Sequence, residues 1–159
     1  MGLGESIKHQ DIMDSIKIRF QTILTANGYN TDLGNNVVIN KSNKLLSSSN
    51  SNAINITDIN AEALTALSGG VVSYFDYKLL IEATLFFISG TADINIRKGI
   101  WDILKAIGTD VTWSGYAINT YPSQGSPFFE LLFDQQENII VGARVNFIIE
   151  FRTKQWANN

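Results

Sequence analysis

Residues 139–151 read IIVGARVNFIIEF, and from Ile139 onward every second side chain is apolar. Ile139, Val141, Ala143, Val145, Phe147, Ile149 and Phe151 fall on one face, and Ile140, Gly142, Arg144, Asn146, Ile148 and Glu150 on the other. A period of two belongs to a strand, because successive side chains of a strand point to opposite sides of its sheet. The expected partner is residues 77–88, YKLLIEATLFFI, where Tyr77, Leu79, Ile81, Ala83, Leu85 and Phe87 alternate with Lys78, Leu80, Glu82, Thr84, Phe86 and Ile88. Both strands are roughly twice the usual ~5–6 residues. They imply one extended sheet with something laid over its apolar face.

Two segments have the helical spacing needed for that cover. Ile12, Ile16, Phe20 and Ile23, flanked by Met13 and Leu24, predict a first helix up to Ala26, stopped by Asn27 and Gly28. Ile96, Ile100, Ile103 and Ile107, with Trp101 and Leu104 beside them, predict a second, capped by Thr91 or Asp93 and ending near Gly108. Around them, residues 1–8 read as a loose lead-in, residues 29–34 (YNTDLG) as a turn, and Val37, Val38 and Ile39 as a short strand. Residues 42–52 are Ser- and Asn-rich and read as a flexible loop. A short strand is expected at 53–57, then a helical turn in AEALTAL (61–67) before Gly69 and Gly70. Residues 109–115 (TDVTWSG) read as a polar turn, and 116–121 and 128–133 as strands separated by PSQGSP. Residues 134–138 turn the chain into the final strand as a hairpin, and 153–159 form a tail. The expected fold is a single α+β domain: an antiparallel, twisted β-sheet of about four to five strands packed against two main α-helices. Its expected core is Ile16, Phe20, Leu85, Phe87, Ile100, Leu104, Val145, Phe147 and Ile149.

Composition narrows the function classes. A chain of 159 residues, 45% hydrophobic, fills one core without requiring a second domain. Its net charge of −3 and scattered 12 Lys and Arg residues give no electrostatic footprint for nucleic acid. The absence of cysteine removes disulfides, thiolate metal sites and a cysteine nucleophile, and fits maturation in a reducing cytoplasm. MGLGESIKHQD at the start has no signal-peptide character, and no run approaches the ~20 apolar residues of a membrane span. The expectation is a soluble protein.

No catalytic constellation emerges, so no catalytic, cofactor-binding or metal residues are assigned. The single histidine, His9, falls in a segment expected to fray, which leaves no His-based triad or multi-histidine metal site. Asp11 and Asp14 read as solvated charges on the first helix, and Glu82 as a paired acid near Lys78 and Thr84. Neither common nucleotide-loop motif occurs. Gly142 reads as a bulge or a close-approach site. Trp113, Tyr116 and Tyr121 offer a stacking platform for a sugar or base, with core packing as the plainer alternative. Trp156, in the tail KQWANN, is either an anchor on a neighbouring subunit or a local contact.

Taken in order, these pieces resemble the tail terminator proteins of long-tailed bacteriophages. The resemblance is carried by the N-terminal helix running into YNTDLG at 29–34 and a short strand, and by the long apolar strand leading to IRKGIWDILKAI at 96–107. It continues through TDVTWSGYAI at 109–118 and GARVNFIIEFRTK at 142–154. It covers most of the chain and departs at residues 47–52. It implies a structural virion protein without catalysis, a homo-hexameric ring that caps the tail tube, ends tail polymerisation and offers a surface for head attachment. The implied partners are the tail tube protein and a head-completion or stopper protein, with the tail sheath as a further candidate. DNA would pass through the ring without specific binding, and the location would be the neck of a virion made in a bacterial cytoplasm. An acidic chain suits such a channel, since phosphate binding needs Lys or Arg. The rival readings are another head-tail connector, tail-completion or tube protein and, from a different class, a small carbohydrate-binding module. Candidate interface residues are Arg144, Glu150 and Arg152 on one strand face, Trp156, and Ser123 and Gln124 in the polar loop 121–127.

Overall fold

The computed structural model describes residues 8–41, 52–63, 74–87, 92–123, 128–134 and 139–154. The expected loop at 42–51, the end of AEALTAL, Gly69, Gly70, Thr91, Gln124 and Trp156 lie outside the described residues. The fold is α+β, a mostly antiparallel sheet packed against two helices, with six strands among the described residues where four or five were expected.

The elements are helix α1 (Lys8–Phe20), strands β1 (Val37–Ile39), β2 (Ala53–Ala63) and β3 (Tyr74–Phe86), helix α2 (Ala92–Gly108), and strands β4 (Asn119–Pro122), β5 (Phe129–Asp134) and β6 (Ile139–Lys154). The sheet order is β1-β2-β3-β6-β4, with β5 also on β6. β6 and β3 pair antiparallel over their length, Leu79 opposite Ile149, Ile81 opposite Phe147, Ala83 opposite Val145 and Leu85 opposite Ala143. These four pairs put eight buried side chains on one face. α1 adds Ile12, Met13, Ile16 and Phe20, and α2 adds Ile96, Ile100, Ile103, Ala106 and Ile107, closing one core. Of the expected core, Phe87 and Leu104 sit half-buried at the rim and the rest are buried.

Several boundaries differ from the sequence reading, each for a local reason. α1 ends at Phe20 rather than Ala26. Beyond it the backbone tightens to Thr22 N–H on Arg19 and Ile23 N–H on Phe20, while the Thr22 hydroxyl donates to the Arg19 carbonyl at 2.6 Å. A Thr side chain bonding backwards in this way competes with the helical ladder. Ile23 remains buried, and Gly28 (φ 85) closes a separate 3-10 turn, Thr25–Asn27. β2 runs to Ala63, so Ala61, Glu62 and Ala63 of AEALTAL are strand and not helix. A register shift between Asp58 and Asn60 leaves Ile59 without a partner and interrupts the period of two. The strand expected at 116–121 starts only at Asn119, because Trp113 (φ 51), Ser114 (φ 62) and Gly115 (φ 86) hold a left-handed turn before it. Asp110 fixes that turn: its carboxylate accepts from the Thr112 N–H and hydroxyl and from the Ser114 N–H. Those bonds hold the Asp110 carboxyl down at about 2.

β4 and β5 occupy successive lengths of the same edge of β6. β4 faces residues 147–150 and β5 faces residues 139–145. Between them, the Ser123 N–H donates to the Asn146 carbonyl and the Asn146 N–H donates to the Phe128 carbonyl. One residue of β6 is thus shared by two residues that are five apart in sequence. β4 and β5 form a single edge strand from which the chain departs after Ser123 and to which it returns at Phe128.

Gly142 lies where β6 is flanked by β3 and β5, and a Cβ there would meet the Leu85 carbonyl oxygen. The close approach therefore falls on Gly142, while the register shift between Leu132 and Phe133 leaves its neighbour Val141 without a partner in β5.

Candidate functional site

Arg144, Glu150 and Arg152 share the sheet face opposite the helices, as the alternation of β6 requires. Each is engaged within its own chain. Half-buried Arg144 places Nε 3.1 Å from Glu82 Oε1 and pairs with Glu130 of β5, so one guanidinium ties three strands. Glu82, expected near Lys78 and Thr84, takes Arg144 as its partner and also accepts the Thr84 hydroxyl at 3.3 Å. Glu150 accepts the Tyr121 hydroxyl at 2.8 Å. Burial, and then that carboxylate, push the Tyr121 phenol up to about 12. Arg152, exposed, grips Asp76 with two bonds of 2.6 and 3.0 Å, and these hold the Asp76 carboxyl below its ordinary range. The charged row is a set of cross-strand clasps between β3, β4, β5 and β6.

Ser123, half-buried, anchors the point where the edge strand departs. Trp113 belongs to the core and not to a surface platform: it is 0% exposed, stacks on Phe147 and meets Phe20 edge-on. Its indole N–H donates to the Thr120 hydroxyl at 2.8 Å, and the Arg19 guanidinium lies 4.5 Å over the ring. With Trp113 buried and Tyr121 bonded to Glu150, the aromatic trio presents no common stacking face.

His9 is held in α1 rather than frayed, with Nε2 3.0 Å from Asp58 Oδ2 and its ring tilted over Phe151. With Gln10, Met13, Ile39 and Asn40 this pair lines a crevice of about 150 Å³. Asn40, in the left-handed region at φ 52, donates to the other Asp58 oxygen at 2.8 Å. Asp11 is half-buried, and Asp14 is exposed and accepts from Gln10 at 2.9 Å. Among the described residues no group of three His, Cys, Asp or Glu side chains is placed to hold a metal ion.

Asp102 is the polar residue that pattern reading passed over. It sits in the middle of α2, 0% exposed, and accepts five hydrogen bonds from the backbone and side chains of Asn30 and Thr31. The YNTDLG turn is thereby pinned to the helix that carries IRKGIWDILKAI. A carboxylate satisfied by several N–H and O–H donors is stable in the interior without a cation. The available signal was a lone acid at a core-facing position between Trp101 and Ile103.

No protein-family model matches this chain, and no curated protein matches it. No described helix is long and apolar enough to cross a membrane.

Proposed function

We propose that the chain is a structural protein that assembles through its surface as a ring on the end of a bacteriophage tail tube. In this reading it ends tube growth and presents a face to the head-completion or stopper protein. The ring is a homo-hexamer at the neck of the virion, and DNA passes through it unbound. The reading rests on the resemblance in the order of segments. The observation that carries it furthest is the surface: Ile18, Ile59, Ile94, Trp101, Tyr116, Ile118 and Phe129 are all exposed. Among them Ile94 and Trp101 stand two turns apart on one side of α2, and apolar groups that line up on one face, unlike ones scattered singly, favour a surface that is covered in use.

The excursion of the edge strand supports the same reading. Regular pairing with β6 ends at Ser123 and resumes at Phe128 on the outermost strand, and connections between paired stretches are where contacts form without disturbing the scaffold beneath. Electron microscopy of purified tail tubes mixed with the protein is the test. The expected result is a ring on one tube end and tubes that no longer elongate. Tails of normal length produced in the absence of the chain would remove this role.

A further inference from the structure

We propose that the outward face of α2 docks against the outward face of α1 in a second copy of this chain. On α2, Ile94, Lys98, Trp101 and Lys105 recur at helical spacing along the side turned away from the sheet, with Arg97 beside them. Trp101 is 65% exposed and Ile94 50%, although tryptophan and isoleucine usually bury most of their surface. Every charged residue in this row is basic, on a chain whose net charge is −3. On α1 the outward row is Gln10, Asp14 and Ile18, with Asp11 and Lys17 half-buried on its two flanks and Ile18 65% exposed, so Asp14 is its exposed charge.

The two rows complement each other in charge and in spacing. Lys98 and Lys105 lie about one turn to either side of Trp101, and Asp14 lies one turn before Ile18. Seating Ile18 against Trp101 with the two helices parallel brings Asp14 beside Lys98, whereas the antiparallel arrangement would bring it beside Lys105. Lys105 keeps its bond to the Gly28 carbonyl at 2.7 Å and its place over Tyr29, which makes Lys98 the freer of the two to turn toward a partner. The acids on the neighbour favour a protein surface over a membrane or a nucleic acid, both of which would need the whole basic row and would leave Ile18 and Asp14 uncovered. One helix pair buries less than the ~1,200 Å² of a stable interface. The contact is therefore weak alone and strengthened by closure or by a template.

The proposal deepens the assembly reading above, and its test is independent of tails. Sedimentation velocity is measured over a range of concentrations for the wild type, K98E, D14K, W101A and the double variant K98E/D14K. Thermal melts confirm that each remains folded. The expected result is concentration-dependent association, weakened on the order of tenfold by either charge reversal and by W101A, and restored in K98E/D14K, where the two signs are exchanged. A wild type that is monomeric throughout would overturn the contact, and so would single variants that associate normally or a double variant without rescue. Retention of monomeric wild type on duplex DNA or on anionic vesicles, lost in W101A, would assign the face to that ligand instead. Copies that associate as expected while tails end normally without the chain would keep the contact and remove the tail role.

Discussion

Arg144 faces Glu82 on β3 and Glu130 on β5, so its charge is spent on holding this chain's own strands together. The R144E substitution would set three carboxylates side by side on a half-buried surface. We expect a loss of about 1–3 kcal/mol, between the values for exposed and buried pairs, visible as a lower urea midpoint. An unchanged midpoint would mean that the clasp contributes nothing. Tyr121 provides a second residue-level prediction. Its phenol titrates at about 12 in the folded chain and near ~10 when unfolded. Between those values the unfolded chain loses a proton that the native one keeps, so stability is intact below about pH 10 and declines toward pH 12. Denaturation across that window should show the decline in the wild type and a weaker one in Y121F. At this scale the sequence was least legible. Alternation places Arg144, Glu150 and Arg152 on one face but does not say which carboxylate across the sheet each will meet, because that depends on register. The partners of Asp102 were hidden for a related reason: Asn30 and Thr31 lie 71 or 72 positions away.

At the scale of elements, β3 and β6 were legible because over 79–85 and 143–151 every second side chain, on the face toward the helices, is buried. β2 was not, since its second half is polar and the shift at Ile59 changes which residues face the core. The hairpin of β5 and β6 followed from the turn residues between them, while the left-handed turn before β4 left no mark in hydrophobic pattern. The β6 face is where a single truncation matters most. Phe147 is 1% exposed, stacked on Trp113 and in edge contact with Phe20. Phe147→Ala should cost about 3–5 kcal/mol by leaving a cavity among rings that cannot collapse into it. Calorimetry or urea unfolding measures it, and a loss under about 1 kcal/mol would show that the rings repack.

For the molecule as a whole, a layered α+β domain was legible, but not that two of its strands share one edge of β6. Ser123 and Phe128 both bond Asn146, so β4 and β5 meet at one point on the edge of β6. Deleting 124–127 should leave a two-residue bulge at that point and change the melting temperature by only a few degrees, corresponding to about 1 kcal/mol or less. The same deletion should impair tube capping if the excursion is a contact segment. A deletion that unfolds the protein would show that the excursion is structural.

The central position of β6 has a consequence for how the molecule comes into being. Its neighbours on both sides, β3 and the β4–β5 edge, precede it in the chain, and clasps such as Asp76 with Arg152 span 76 positions. Until β6 is available, β3 has a bare, apolar edge and β4 and β5 have nothing to pair with. Long-range pairings of this kind form slowly, and an unpaired strand edge is a template for aggregation. Chains interrupted before residue 139 should therefore accumulate as insoluble material rather than as a smaller folded unit. The pace at which the final strand reaches its partners then sets the yield of native protein.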